Sequence, residues 1–107
     1  FDGKEAVYTK VKDKVPTIYG ENVTIKNSMV ADGCIINGTV ENSILFRGVR
    51  IEAGAVVKNS IVMQDSLLQE GAWLENAILD KSVVIRQNKR LIGQENYPVT
   101  VGKNAVV

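Results

Sequence analysis

Few side chains in this 107-residue sequence could do chemistry, and their types and spacing limit what that chemistry could be. There is no histidine. Without an imidazole the chain can assemble neither a histidine general base nor a three-histidine zinc site. Its one cysteine, Cys34, has no second thiol for a disulfide, and its position is expected to face inward, where a thiol is an inert packing group. Asp32 and Asp65 stand apart from other acids and read as turn residues, because aspartate tolerates left-handed backbone angles. No phosphate loop, paired-cysteine metal spacing or nucleophile elbow occurs. Catalytic, cofactor-binding and metal-ligating residues are therefore expected to be absent. Two binding candidates remain. Arg86, Lys89 and Arg90 gather three cations that could hold a phosphorylated effector. Trp73, the lone tryptophan, is a fair interface anchor.

Placing such residues takes a scaffold, and a repeat supplies it. Aliphatic anchors recur at steps of five or six residues, with one step of four: Ile25, Val30, Ile36, Val40, Leu45, Ile51, Val57, Met63, Leu68, Leu74, Leu79 and Ile85. Tyr19 extends the series backwards, and Val101 and Val107 resume it. Residues two before an anchor, such as Cys34, Gly38, Ser43, Ala55, Ile61 and Ala77, are small or β-branched, as same-side neighbours in a short strand should be. Polar pairs such as Lys26-Asn27, Glu41-Asn42 and Lys58-Asn59 suit tight turns between strands. Three units make a triangular coil of about 18 residues. The expected fold is all-β: a single-stranded left-handed parallel β-helix, a hexapeptide-repeat solenoid of about four coils plus a C-terminal cap. The left hand follows from the hexapeptide pattern and departs from the usual crossover rule. Arg86–Arg90 is expected to interrupt the repeat as a loop, with Leu91–Pro98 a connector and Val99–Val107 a last strand unit or cap.

Residues just before each anchor should point outward. Taking every third unit, Met29, Ile44, Val62 and Ile78 share one outer face, with Phe46 beside them. Soluble monomers rarely expose such a continuous apolar ridge, so docking against another domain or a neighbouring subunit is expected, and charging Val62 should disrupt it. Trp73 falls on a different outer face, one coil from Val56. A net charge of +1 provides no field to recruit nucleic acid or a membrane surface, and no apolar stretch is long enough to span a bilayer. A single cysteine fits a reducing cytoplasm. The chain starts at Phe1 with a mixed, highly charged stretch. Residues 1–16 are read as a linker from a missing N-terminal domain, and residues 17–107 as the solenoid.

Within the repeat, Glu41-Asn-Ser-Ile-Leu-Phe-Arg-Gly-Val49, Gly54-Ala-Val-Val57, Ser60-Ile-Val-Met63 and Leu79-Asp-Lys81 resemble the C-terminal β-helix of bacterial glucose-1-phosphate adenylyltransferases, the ADP-glucose pyrophosphorylases. Tyr19-Gly-Glu-Asn22, Ala31-Asp-Gly-Cys34 and Leu91-Ile-Gly93 followed by Tyr97-Pro-Val99 are similar to the GlgD type in particular. The resemblance runs from Tyr8 to near the end. It implies an N-terminal nucleotidyltransferase domain that joins ATP and glucose 1-phosphate to give ADP-glucose and pyrophosphate in glycogen synthesis. Magnesium and ATP would then belong to the parent complex, with no catalytic residue in this chain. It also implies a regulatory subunit in a mixed tetramer with a catalytic sister subunit, the β-helix serving assembly and allosteric control. Two alternatives stay open: the β-helix of another sugar-nucleotide pyrophosphorylase, such as a mannose-1-phosphate guanylyltransferase, or a freestanding hexapeptide scaffold or acyltransferase. The missing histidine counts against the last.

Overall fold

The computed structural model describes residues 15–107, so most of the expected linker lies outside the described residues. Fifteen short strands and no helix occur among them. The first coil carries β1 (Ile18–Tyr19), β2 (Thr24–Lys26) and β3 (Met29–Val30), and the second β4 (Ile35–Ile36), β5 (Thr39–Glu41) and β6 (Ile44–Leu45). The third has β7 (Arg50–Ile51), β8 (Val56–Lys58) and β9 (Ile61–Val62), and the fourth β10 (Leu67–Leu68), β11 (Trp73–Glu75) and β12 (Ala77–Leu79). A last turn adds β13 (Val84–Ile85), β14 (Arg90–Ile92) and β15 (Val99–Val101). Every third strand pairs in parallel, building three five-stranded sheets: A (β1-β4-β7-β10-β13), B (β2-β5-β8-β11-β14) and C (β3-β6-β9-β12-β15). The chain is a three-sided parallel β-solenoid, the architecture the repeat predicts.

Strands this short cannot bury a core alone, so the coils do it by stacking. Ile36, Val40, Ile51, Val57, Leu68, Leu74, Leu79 and Ile85 have no exposed surface, and Leu45 has 1 %. These predicted anchors form the axial core, with Cys34, Val49, Ala55 and Ala72 filling the corners. Between strands the chain turns through residues with left-handed backbones. One column is asparagine throughout: Asn27, Asn42, Asn59 and Asn76, with φ between 49° and 52°. A second runs Gly33, Gly48, Asp65, Ser82 and Asn104, which confirms Asp65 as a turn residue.

Inward serines close the asparagine corner. Ser43 Oγ donates to the Glu41 carbonyl (2.8 Å) and accepts from the Ser60 N–H (3.1 Å). Ser60 Oγ donates to the Lys58 carbonyl (2.7 Å) and accepts from the Ala77 N–H (3.1 Å). Each hydroxyl satisfies backbone groups in two coils, so burying it leaves nothing unpaired.

Three expectations need correction. Coils repeat every 17 residues, not about 18, as Arg50 over Leu67 over Val84 records. The second coil is shortened to 15, pairing Ile35 with Arg50. Its tight corner holds Gly38, where any side chain would collide with the Ala55 carbonyl oxygen. The inward anchor of β9 is Val62, with no exposed surface, and not Met63. The asparagine corner takes one residue less than the other two, so Val57 is followed by its next anchor after five residues. Arg86–Arg90 is no interruption either. Asn88, at φ 58°, takes the place held by Gly71 and Gly54 one and two coils earlier, and Arg90 already lies in β14. The actual insertion is Gly93–Pro98, folded on itself by the paired Gln94 and Tyr97, after which β15 resumes the repeat.

Candidate functional site

The outer face of sheet C is the apolar one. Met29 pairs with Ile44, Ile44 with Ile61, Ile61 with Ile78, and Ile78 with Thr100, so these side chains stack in one outward column. Met29 is 70 % exposed and Ile44 39 %, with Ile61 and Ile78 partly exposed. Phe46, 41 % exposed, follows the inward Leu45 and starts a second column continued by Met63. The predicted ridge therefore exists, but Val62 does not belong to it: Ile61 takes its place, and Met63 widens the face. Strand alternation turns consecutive residues to opposite sides, so the one-residue error in the anchor inverted this strand. The recurring motif Lys58-Asn-Ser-Ile-Val62, matched by Glu41-Asn-Ser-Ile-Leu45, was the signal that places Ile61 outside. At its first-coil end the face opens into a depression of about 380 Å³ lined by Met29, Val30, Ala31, Ile44, Leu45 and Phe46.

Sheet B presents a different surface. Lys26, Glu41, Lys58 and Glu75 stack in register with alternating charge. Trp73 lies over Val56 as expected, half-buried. The Lys58 ammonium stands 5.1 Å and the Arg90 guanidinium carbon 5.3 Å from its ring centroid, while its indole N–H donates to Glu75 Oε1 (3.1 Å). Its ring is engaged by its own coil neighbours.

Arg86, Lys89 and Arg90 surround one corner of the last turn. Arg86 Nε donates to the Val107 carbonyl (3.1 Å), Arg90 stacks on Trp73, and Lys89 is exposed between sheets A and B. Cys34 faces inward as predicted, fully buried, its thiol donating to the Phe46 carbonyl (3.2 Å). Burial pushes that thiol above its ordinary pKa, with backbone hydrogen bonds from Val49 and Gly48 opposing. It is held in the neutral, unreactive form. Among the described residues, no three His, Cys, Asp or Glu side chains gather as a metal site, and no helix is long and apolar enough to cross a membrane.

Residues 13–98 match the family described as GlmU-like, C-terminal hexapeptide. The glycogen biosynthesis protein GlgD of Bacillus subtilis (strain 168) is 50% identical over 103 residues, 96% of this chain and 30% of the relative. GlgD of Geobacillus stearothermophilus is 63% identical over 51 residues, 48% of this chain and 15% of the relative. The glucose-1-phosphate adenylyltransferase of Geobacillus stearothermophilus is 40% identical over 57 residues, 53% of this chain and 15% of the relative. The chain thus spans at most 30% of the length of these relatives. With the family's match covering most of the sequence and the solenoid in place, the chain belongs to the GlmU-like C-terminal hexapeptide family.

Proposed function

We propose that this chain is the structural and regulatory β-helix of a GlgD-type subunit of glucose-1-phosphate adenylyltransferase, acting in glycogen biosynthesis. The observation that carries the reading is the 50% identity to a GlgD protein along 96% of the chain. The surface chemistry supports it. Sheet C offers a dry face for a neighbouring domain or subunit, whereas sheets A and B carry outward charges such as Arg50 and Lys58. In this reading the N-terminal nucleotidyltransferase portion holds ATP and magnesium. The β-helix docks against that portion and against a catalytic sister subunit in a cytoplasmic hetero-oligomer. A stack of coils sharing one core moves as a unit, so a contact made at one face can be relayed without local unfolding.

The test is ADP-glucose synthesis by the protein that contains this chain, with and without an adenylyltransferase subunit from the same source. Enhanced or retuned synthesis in the mixture, with co-elution of the two, is expected. Absence of both physical association and any effect on rate would overturn the reading in favour of another sugar-nucleotide enzyme.

A further inference from the structure

We propose that Met29 is an oxidation site: hydrogen peroxide converts its thioether to the sulfoxide in the unassembled chain, and the change closes sheet C to its partner. The second half rests on the assembly role proposed above and deepens it. The sequence has two methionines, and both stand on the outer face of sheet C, Met29 in one column and Met63 in the other. Their surroundings differ. β3 is the outermost strand of sheet C, so among the described residues Met29 has a strand neighbour on one side only, at Ile44. Its side chain is 70 % exposed, against 39 % for Ile44 and 41 % for Phe46. Met63 lies mid-sheet, between Phe46 one coil before and Asp80 one coil after, and is half-buried. A peroxide in solution thus reaches the Met29 sulfur first.

The step needs no catalyst from the chain. The sulfur lone pair of Met29 attacks one peroxide oxygen, the O–O bond breaks as the S–O bond forms, and the second oxygen leaves as water. Sulfur is oxidised by two electrons and the peroxide reduced by two. A flexible apolar side chain becomes a polar one. In the free chain the new oxygen faces water. Against a docked partner it finds no donor on this chain. The depression it lines is completed by Val30, Ala31, Ile44, Leu45 and Phe46, whose side chains carry none. The N–H groups of Met29, Ala31, Ile44 and Phe46 already donate to the carbonyls of Ser43, Leu45, Ser60 and Val62. Drying an unpaired sulfoxide at this place weakens association at least about tenfold. A methionine sulfoxide reductase reverses the change.

Titrating the chain with hydrogen peroxide and mapping its peptides by mass tests the site, with circular dichroism following the fold. Met29 sulfoxide is expected to accumulate several-fold faster than Met63 sulfoxide while the fold stays unchanged. Met63 oxidised as fast as Met29, or Met29 left reduced, would overturn the proposal. Binding to an adenylyltransferase subunit, measured before and after treatment, tests the consequence. The treated chain should bind at least about tenfold more weakly and recover on incubation with a methionine sulfoxide reductase. Untreated Met29→Gln, which places a polar side chain there without peroxide, should bind as weakly as the oxidised chain. Met29→Leu should bind alike before and after peroxide. An oxidised chain that binds as before, or a Met29→Leu variant that loses as much as the parent on treatment, would equally overturn the proposal. If the untreated chain joins no such subunit, the assembly reading fails, and the order in which the two methionines oxidise still decides the site.

Discussion

Ile61 and Val62 are consecutive in β9 and belong to opposite worlds: Val62 has no exposed surface, and Ile61 stands on the outer face between Ile44 and Ile78. Two neighbouring aliphatic residues of nearly equal hydrophobicity thus answer to different surroundings, one to the packed core and the other to the outer face.

Substitution by glutamate should separate them. Val62→Glu buries an unpaired carboxylate and should cost at least about 3 kcal/mol, a large share of a small domain's stability. Ile61→Glu should cost no more than about 1 kcal/mol and leave the fold intact. Denaturant unfolding of both variants decides it. A larger loss for Ile61→Glu would mean that β9 faces the other way, and equal losses that it does not alternate.

The serine at position 60 joins two coils. Ser60→Ala removes the acceptor of the buried Ala77 N–H, so unfolding should become easier by roughly 1–3 kcal/mol. The same change at half-buried Ser28, whose hydroxyl accepts from the Ser43 N–H at the open end of the series, should cost less. Comparable losses at both would show that burying the bridge adds nothing to its contribution.

Asn59 turns the corner with φ 49°. Asn59→Gly should be nearly neutral, because glycine reaches that conformation freely. Asn59→Val forces a β-branched side chain into it and should destabilise by about 1–2 kcal/mol. Thermal unfolding of the pair tests this. A valine variant as stable as the glycine one would contradict the left-handed turn.

Cys34 links stability to alkaline pH. Its folded pKa is raised by burial, so the unfolded chain loses this proton first. The contribution is fully present below the ordinary thiol pKa and is lost as pH rises through the folded value. Relative to Cys34→Ala, the parent chain should therefore begin to lose stability as the pH rises past the ordinary thiol pKa of about 8.5. Denaturant midpoints measured at pH 7 and pH 10 for both proteins provide the comparison. A constant difference between them would rule out the linkage. Alkylation of Cys34 should likewise wait for unfolding.

Trp73 reports on the last turn. Arg90→Ala removes one cation from its ring and should lower stability by about 0.5–1 kcal/mol while changing the indole emission. An unchanged spectrum would mean that the guanidinium does not rest on the ring in solution.

Much of this was legible beforehand because a solenoid writes its period into the chain. Each coil reuses the same three corners and three strands, so Ile36, Leu45, Leu74 and Ile85 announce an inward column without any knowledge of partners. Phe46, Met29, Ile44 and Ile78 were recognised on one face for the same reason. The three residues misplaced, Ile61, Val62 and Met63, follow one another as a run of apolar side chains, and hydrophobicity alone cannot say which points in. The reading of Arg86–Arg90 as a loop failed differently. Asparagine at position 88 does the work of glycine, and a polar corner looks like an interruption until the strands on either side are paired.

The sequence by itself determined the period, the turn residues, the inward cysteine and the absence of any imidazole chemistry, all properties of residue type and local spacing. Only the tertiary structure decided the phase of β9, the 17-residue coil, and contacts such as Arg86 with Val107 or Trp73 with Lys58 and Arg90. Those depend on how many residues each corner consumes before the next coil closes on the last. That number is settled by backbone hydrogen bonding between coils, which no single stretch of sequence contains.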